Sequence, residues 1–170
     1  MNKEKLDQHL IMNSTRLYGI LDGASVPDLP TRLYEAQLPN HCLFKGDLNP
    51  DVAYVAPYLV YLPPEHKFTE WVISEGFGDA CVIFAHSQHS LIEMRRHFRS
   101  LVNVYDEKGN SMTFRCYDPR VLRKYLPTCT PEELETFFGN VDTFFAESGD
   151  GEGLMSFTIE NNALKQTELN

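Results

Sequence analysis

The sequence predicts an α/β or α+β fold: a mixed sheet covered by helices, with a C-terminal β-hairpin. Three observations carry that expectation. Strand-like and helix-like segments alternate through the first two thirds of the chain. Cys81–Ala85 is an unbroken apolar run, the pattern of a strand buried on both faces. The chain has 170 residues, 42% hydrophobic and 23% charged, enough for one core without a disulfide or metal staple.

Taken in order, residues 3–12 suit a short amphipathic helix, within an N-terminal helical extension spanning 1–15. Arg16–Leu21 reads as a strand ended by the turn pair Asp22-Gly23. Residues 28–37 read as a helix, with Asp28 or Ser25 as start signal and Pro39 as stop. His41–Phe44 reads as a short strand, Asn49–Val55 as a helical turn, and Tyr58–Leu62 as a strand after Pro57. Residues 67–75 look helical and stop at Gly76. After the apolar run, Ser87 or Ser90 starts a helix at about 88–101, where Leu91, Met94, Phe98 and Leu101 form an apolar stripe.

Val102–Tyr105 and Met112–Tyr117 read as a hairpin around Gly109-Asn110. Asp118-Pro119 and Thr130-Pro131 each pair a cap residue with proline at the first helical position, so two more helices follow. Val141–Ala146 and Leu154–Ile159 are expected to pair as the terminal hairpin. The polar tail after Glu160 is expected to fray.

The four cysteines are too far apart for a CxxC pair, so zinc-ribbon and thioredoxin readings fail, and reduced thiols are expected. The N-terminus lacks the apolar core of a signal peptide, and no run approaches the ~18 apolar residues of a membrane span. A cytoplasmic protein with no membrane partner is expected. Net charge is −9, unevenly spread: −5 over residues 1–90, +4 over 91–126 and −8 over 127–170. An acidic body argues against nucleic acid as a partner, although the basic middle third offers a local positive patch.

Catalytic motifs are missing: no GxSxG, no P-loop, no HExxH. One alternative is a small metal-dependent hydrolase built on His86, His89, Glu93 and His97, completed by Asp79 or Asp106. The weightier reading of those residues is a solvated helix face with a Glu93–His97 pair and no metal. The chain's densest polar cluster is FRCYDPRVLRKYLP at 114–127. Arg115 and Tyr117 are expected on one face of a strand, with Arg115 and Asp118 pairing to fix a strand–helix corner. Arg120, Arg123 and Lys124 project from the helix that follows, where guanidinium groups suit carboxylate recognition. Arg120, Arg123, Arg96, Tyr58 and Trp71 are the candidate partner-binding residues, with Tyr54 and Tyr61 as further aromatic anchors.

FRCYDPRVL at 114–122 resembles the signature of the domain of unknown function 4123 (DUF4123) family, a phenylalanine–arginine–aromatic–tyrosine–aspartate–proline–arginine run. Cys116 stands where that pattern has an aromatic. LYGILDGA at 17–24 is similar to the family's opening block, LFKGDLNPDVAYVAPYLVYL at 43–62 to its second, and FFGNVDTFF at 137–145 to its closing one. The likeness covers about residues 16–146, leaving 147–170 as a terminal strand and flexible tail. It implies that Phe114, Arg115, Tyr117, Asp118 and Pro119 are a structural signature. It also implies a non-enzymatic, cofactor-free adaptor or chaperone of type VI secretion that binds other proteins, with a toxic effector and a VgrG or PAAR spike protein as partners.

Overall fold

Alternation along the central strands builds two cores back to back. The computed structural model describes residues 3–11 and 15–169. In β1 (Arg16–Asp22), Tyr18 and Ile20 point to one face of the sheet, while Leu17 and Leu21 point to the other. β4 (Val82–Ser87) divides in the same way, Ile83 and Ala85 opposite Val82 and Phe84. A period-two backbone with apolar side chains on both sides must be covered twice. Seven strands do this in the order β2-β3-β1-β4-β7-β8-β9. The others are β2 (Asn40–Cys42), β3 (Pro57–Tyr61), β7 (Thr143–Glu147), β8 (Leu154–Glu160) and β9 (Ala163–Leu169).

One face carries α1 (Lys3–Ile11), α2 (Leu29–Ala36) and α4 (Lys67–Glu75) through Leu6, Leu10, Leu29, Leu33, Phe68 and Val72. The other carries α5 (Leu91–Val102), α6 (Pro119–Tyr125) and α7 (Pro131–Phe138) through Met94, Phe98, Leu122, Leu134, Phe137 and Phe138. Phe144 of β7 packs against Phe98, Phe137 and Phe138, with ring centroids 5.1–6.1 Å apart. The short α3 (Pro50–Tyr54) leads into β3, and its start is capped by Asn49 accepting from the Asp51 amide at 3.0 Å.

The structure is thus α+β with helices over the sheet and a C-terminal hairpin, the fold class expected. Every strand pairing in the sheet is antiparallel, where a mixed sheet was anticipated. Helix starts follow the expected chemistry at Ser90, Asp118 and Thr130; Ser90 and Thr130 form full capping boxes with Glu93 and Glu133. Asp28 precedes α2 but does not cap it. It sits at φ 57°, and its carboxylate accepts from the Tyr54 hydroxyl. Ser87 bonds the Asn140 carbonyl instead of capping α5.

Two segments differ more. The hairpin after α5 is short, β5 (Asn103–Tyr105) with β6 (Ser111–Thr113), so Arg115 and Tyr117 lie in a turn rather than on a strand. Cys116 and Tyr117 are drawn into the core there, which a strand's alternation would not allow. The tail after Glu160 does not end the fold: β9 pairs with β8 along its whole length, through Asn161 and Asn162 at φ 52° and 60°. That is the positive-φ pair of a two-residue hairpin turn, which asparagine tolerates.

Candidate functional site: the corner between β1 and α6

Asp22 ends β1 and is 1% exposed. Its amide donates to the Cys81 carbonyl at 2.9 Å, which sets its position. Its carboxylate accepts from the Ala24 amide and the Ser25 hydroxyl, both at 3.0 Å, so the side chain folds the turn that follows. Gly23 is required at that turn. A Cβ there would stand 2.4 Å from the Ala56 carbonyl oxygen, to which the Gly23 amide donates at 3.1 Å. The remaining Asp22 lone pairs face Arg115, whose Nη2 donates at 2.7 Å across 93 residues of sequence.

Arg115 lies 3.6 Å from Asp118, so its main partner is Asp22 and not the aspartate three residues on. Its guanidinium also sits 5.9 Å from the Tyr117 ring centroid. Asp118 is buried and accepts the Arg120 amide at 2.9 Å, capping α6. Arg120 closes on the same carboxylate with Nε at 2.9 Å and Nη2 at 2.7 Å, a bidentate fork. Burial pulls Asp118 upward, but the Arg120 bonds outweigh it and hold the carboxyl below the usual range. Two buried aspartates and two half-exposed arginines therefore alternate along the corner. LYGILDGA, APYL and FRCYDPR, distant in sequence, meet at Asp22, Gly23 and Arg115.

Beside the corner lies a groove of about 480 Å³ lined by Phe114, Asp118, Arg120, Val121, Lys124 and Tyr125. Its floor is aromatic: the Phe114 and Tyr125 rings meet edge-on at 4.8 Å. Burial, with a bond donated to Cys129, pushes the Tyr125 hydroxyl up to about 12, so it stays neutral. Arg120 and Lys124 form a cationic rim. Sequence reasoning missed Asp22 as the partner of Arg115, and missed Phe114, Val121 and Tyr125 as a groove. The only signal was an aspartate at a strand end inside a quoted block.

The expected partner-binding residues do not gather in one place. Arg120 and Arg123 share α6, and Arg123 donates to the Glu147 carbonyl at 2.5 Å. Arg96 is exposed on α5, on the same side of the sheet. Trp71 lies on the opposite face, packed on Phe68 at 5.4 Å with the Arg32 guanidinium 4.7 Å over its ring. It borders a second groove of about 580 Å³ with Arg32, Glu35 and Lys67. Tyr58 is half-buried, and its hydroxyl donates to Ala53.

The four residues of the hydrolase alternative are not assembled. The strand period turns His86 under α1, where Nε2 donates to the Leu10 carbonyl at 2.7 Å. His97 donates to the Phe137 carbonyl at 2.9 Å, while His89 pairs with Glu93 at the surface at 3.2 Å. Burial lowers the pKa of both His86 and His97. Among the described residues no group of three or more His, Cys, Asp or Glu side chains is placed to hold a metal. No helix among them is long and apolar enough to cross a membrane.

No curated protein and no solved structure matches the chain. The family model described as domain of unknown function (DUF4123) matches residues 17–136, from the start of β1 into α7 and across the whole corner. The chain belongs to the DUF4123 family.

Proposed function

We propose that this chain is a non-enzymatic, cytoplasmic adaptor that binds a type VI secretion effector and helps load it onto a VgrG or PAAR spike protein. The observation that carries the reading is how the family signature is used. Arg115, Asp118 and Arg120 are engaged with one another and with Asp22, so the motif builds a rigid corner instead of presenting groups to a reacting bond. What the corner leaves open is contact surface: an aromatic-floored groove with a cationic rim. A standard interface takes about 800 Å² from each partner, and this chain exposes 9176 Å². Cargo and spike therefore fit on separate faces. Arg120, Arg123 and Arg96 serve one side of the sheet; Trp71 and Tyr58 serve the other. Cofactors have no role in this reading.

Affinity purification from cells expressing the chain with its neighbouring secretion genes tests it. Co-recovery of one effector and a VgrG or PAAR protein is expected, reduced by Lys124→Glu in the groove. Recovery of neither from cells that make all three would sink the reading.

A further inference from the structure

The two ends of the sheet are finished differently. At the β2 end the outermost strand has three residues, and side chains cap the carbonyls at its end and just beyond it. Arg99 donates to the Cys42 oxygen at 3.0 Å and the Phe44 oxygen at 2.8 Å, and Asn103 donates to the Leu43 oxygen at 3.1 Å. So short a strand with a capped end offers little for further pairing. At the other end β9 runs seven residues in unbroken register with β8, with no proline or glycine in ALKQTEL. A two-residue turn makes Glu160 and Ala163 the closing hydrogen-bonded pair. Alternation then directs the amides and carbonyls of Ala163, Lys165, Thr167 and Leu169 inward. Those of Leu164, Gln166 and Glu168 point away from the sheet. Among the described residues no donor or acceptor from another element meets those outward groups.

The surroundings of this edge are acidic. Residues 127–170 hold nine Asp and Glu, of which Glu147 is buried on the Gly78 and Ala80 amides, against the single cation Lys165, which pairs with Glu160 at 2.7 Å. The Glu168 carboxylate lies beside the loop of Asp150 and Glu152, where a Cβ on Gly153 would stand 3.1 Å from it. Three of those nine, Glu132, Glu133 and Glu135, lie on α7, which packs near β9. A second copy of so acidic an edge is repelled; a cationic strand is attracted.

We propose that the free edge of β9 is a strand-addition site, taking an extended basic segment of a partner protein as an eighth strand. Backbone bonds from Leu164, Gln166 and Glu168 hold the segment, and its lysines or arginines face the surrounding carboxylates. The inference stands apart from the secretion reading, because it concerns only what the edge accepts.

The test uses the full chain and two capped, fluorescent seven-residue peptides, alternating Lys/Val and alternating Glu/Val, titrated by anisotropy. The lysine peptide is expected to bind and the glutamate peptide to bind at least about tenfold more weakly. Gln166→Pro removes an outward amide while leaving the β8–β9 ladder intact, so it should weaken the lysine peptide by about tenfold at unchanged Tm. Glu168→Lys keeps the backbone and should shift preference toward the glutamate peptide. Equal binding by wild type and Gln166→Pro overturns the proposal, since charge alone then suffices. So does an unchanged preference in Glu168→Lys, binding of neither peptide, or a wild-type dimer in sedimentation equilibrium that Gln166→Pro dissociates.

Discussion

Breaking the Asp22–Arg115 bond tests whether the signature holds the fold together. Asp22 keeps two other donors, the Ala24 amide and the Ser25 hydroxyl, so Arg115→Ala does not strip it bare. It does leave a carboxylate with 2% side-chain exposure and no close countercharge. Removing one partner of a fully buried pair costs about 3–5 kcal/mol. The Arg115 side chain is 47% exposed, and solvent screening brings the expectation to about 2 kcal/mol. For a chain of this length that lowers Tm by about 4–8 °C. Asp22→Asn keeps the shape but turns one acceptor into a donor facing Ser25 or Arg115, a loss of similar size. The decisive quantity is the coupling in a double-mutant cycle with Arg115→Gln, read from urea unfolding. About 1–2 kcal/mol is expected, because each change removes the same bond. Coupling within about 0.3 kcal/mol of zero would show that backbone packing alone positions the corner.

Three further outcomes follow from other parts of the fold. Gly139 ends α7 at φ 46°, where a Cβ would lie 2.6 Å from His97 Cε1. Gly139→Ala should therefore cost more than about 1 kcal/mol, and His97→Ala should recover only the steric part; full recovery in the double variant would refute the strain. Phe144→Ala removes the ring on which three others converge and should cost about 3–5 kcal/mol, read as an earlier urea midpoint with unchanged slope. His86 and His97 are held neutral by burial while the unfolded chain takes up protons below about pH 6.5. Stability should thus fall as pH drops from about 7 toward 5, a slope that His86→Asn with His97→Asn flattens; a wild type that gains stability on acidification contradicts the assignment.

The sequence made the layers legible because the apolar pattern is strong where burial is two-sided. Cys81–Ala85 reads as a central strand, and Leu91, Met94, Phe98 as a helix stripe, since every position there answers to the core. Capping chemistry at Ser90, Asp118 and Thr130 is local and was legible for the same reason. The failures are non-local or exposed. ALKQTEL has five of seven side chains in water, so its alternation carries no apolar signal, and only the register with β8 makes it a strand. The Asp22–Arg115 bond spans 93 residues, and nothing in either block announces the other. The histidines looked clustered because they are near in sequence. A strand period and a helix period then sent His86 and His97 to opposite sides of the sheet.

The corner also bears on how Arg120 could serve a partner. An arginine has five N–H donors, and the fork on Asp118 uses two. The side chain remains 59% exposed, and the fork already orients the guanidinium that carries the other three. Under the adaptor reading, a carboxylate or carbonyl arriving at the groove meets a donor that needs little further ordering, which favours affinity. Lys124 next to it offers charge without a fixed direction. Arg120→Lys would retain the rim's charge but lose the fork, so it separates the two contributions. Weakened binding with an unchanged salt dependence assigns Arg120 to geometry; unchanged binding assigns it to charge alone and removes the reason for the fork.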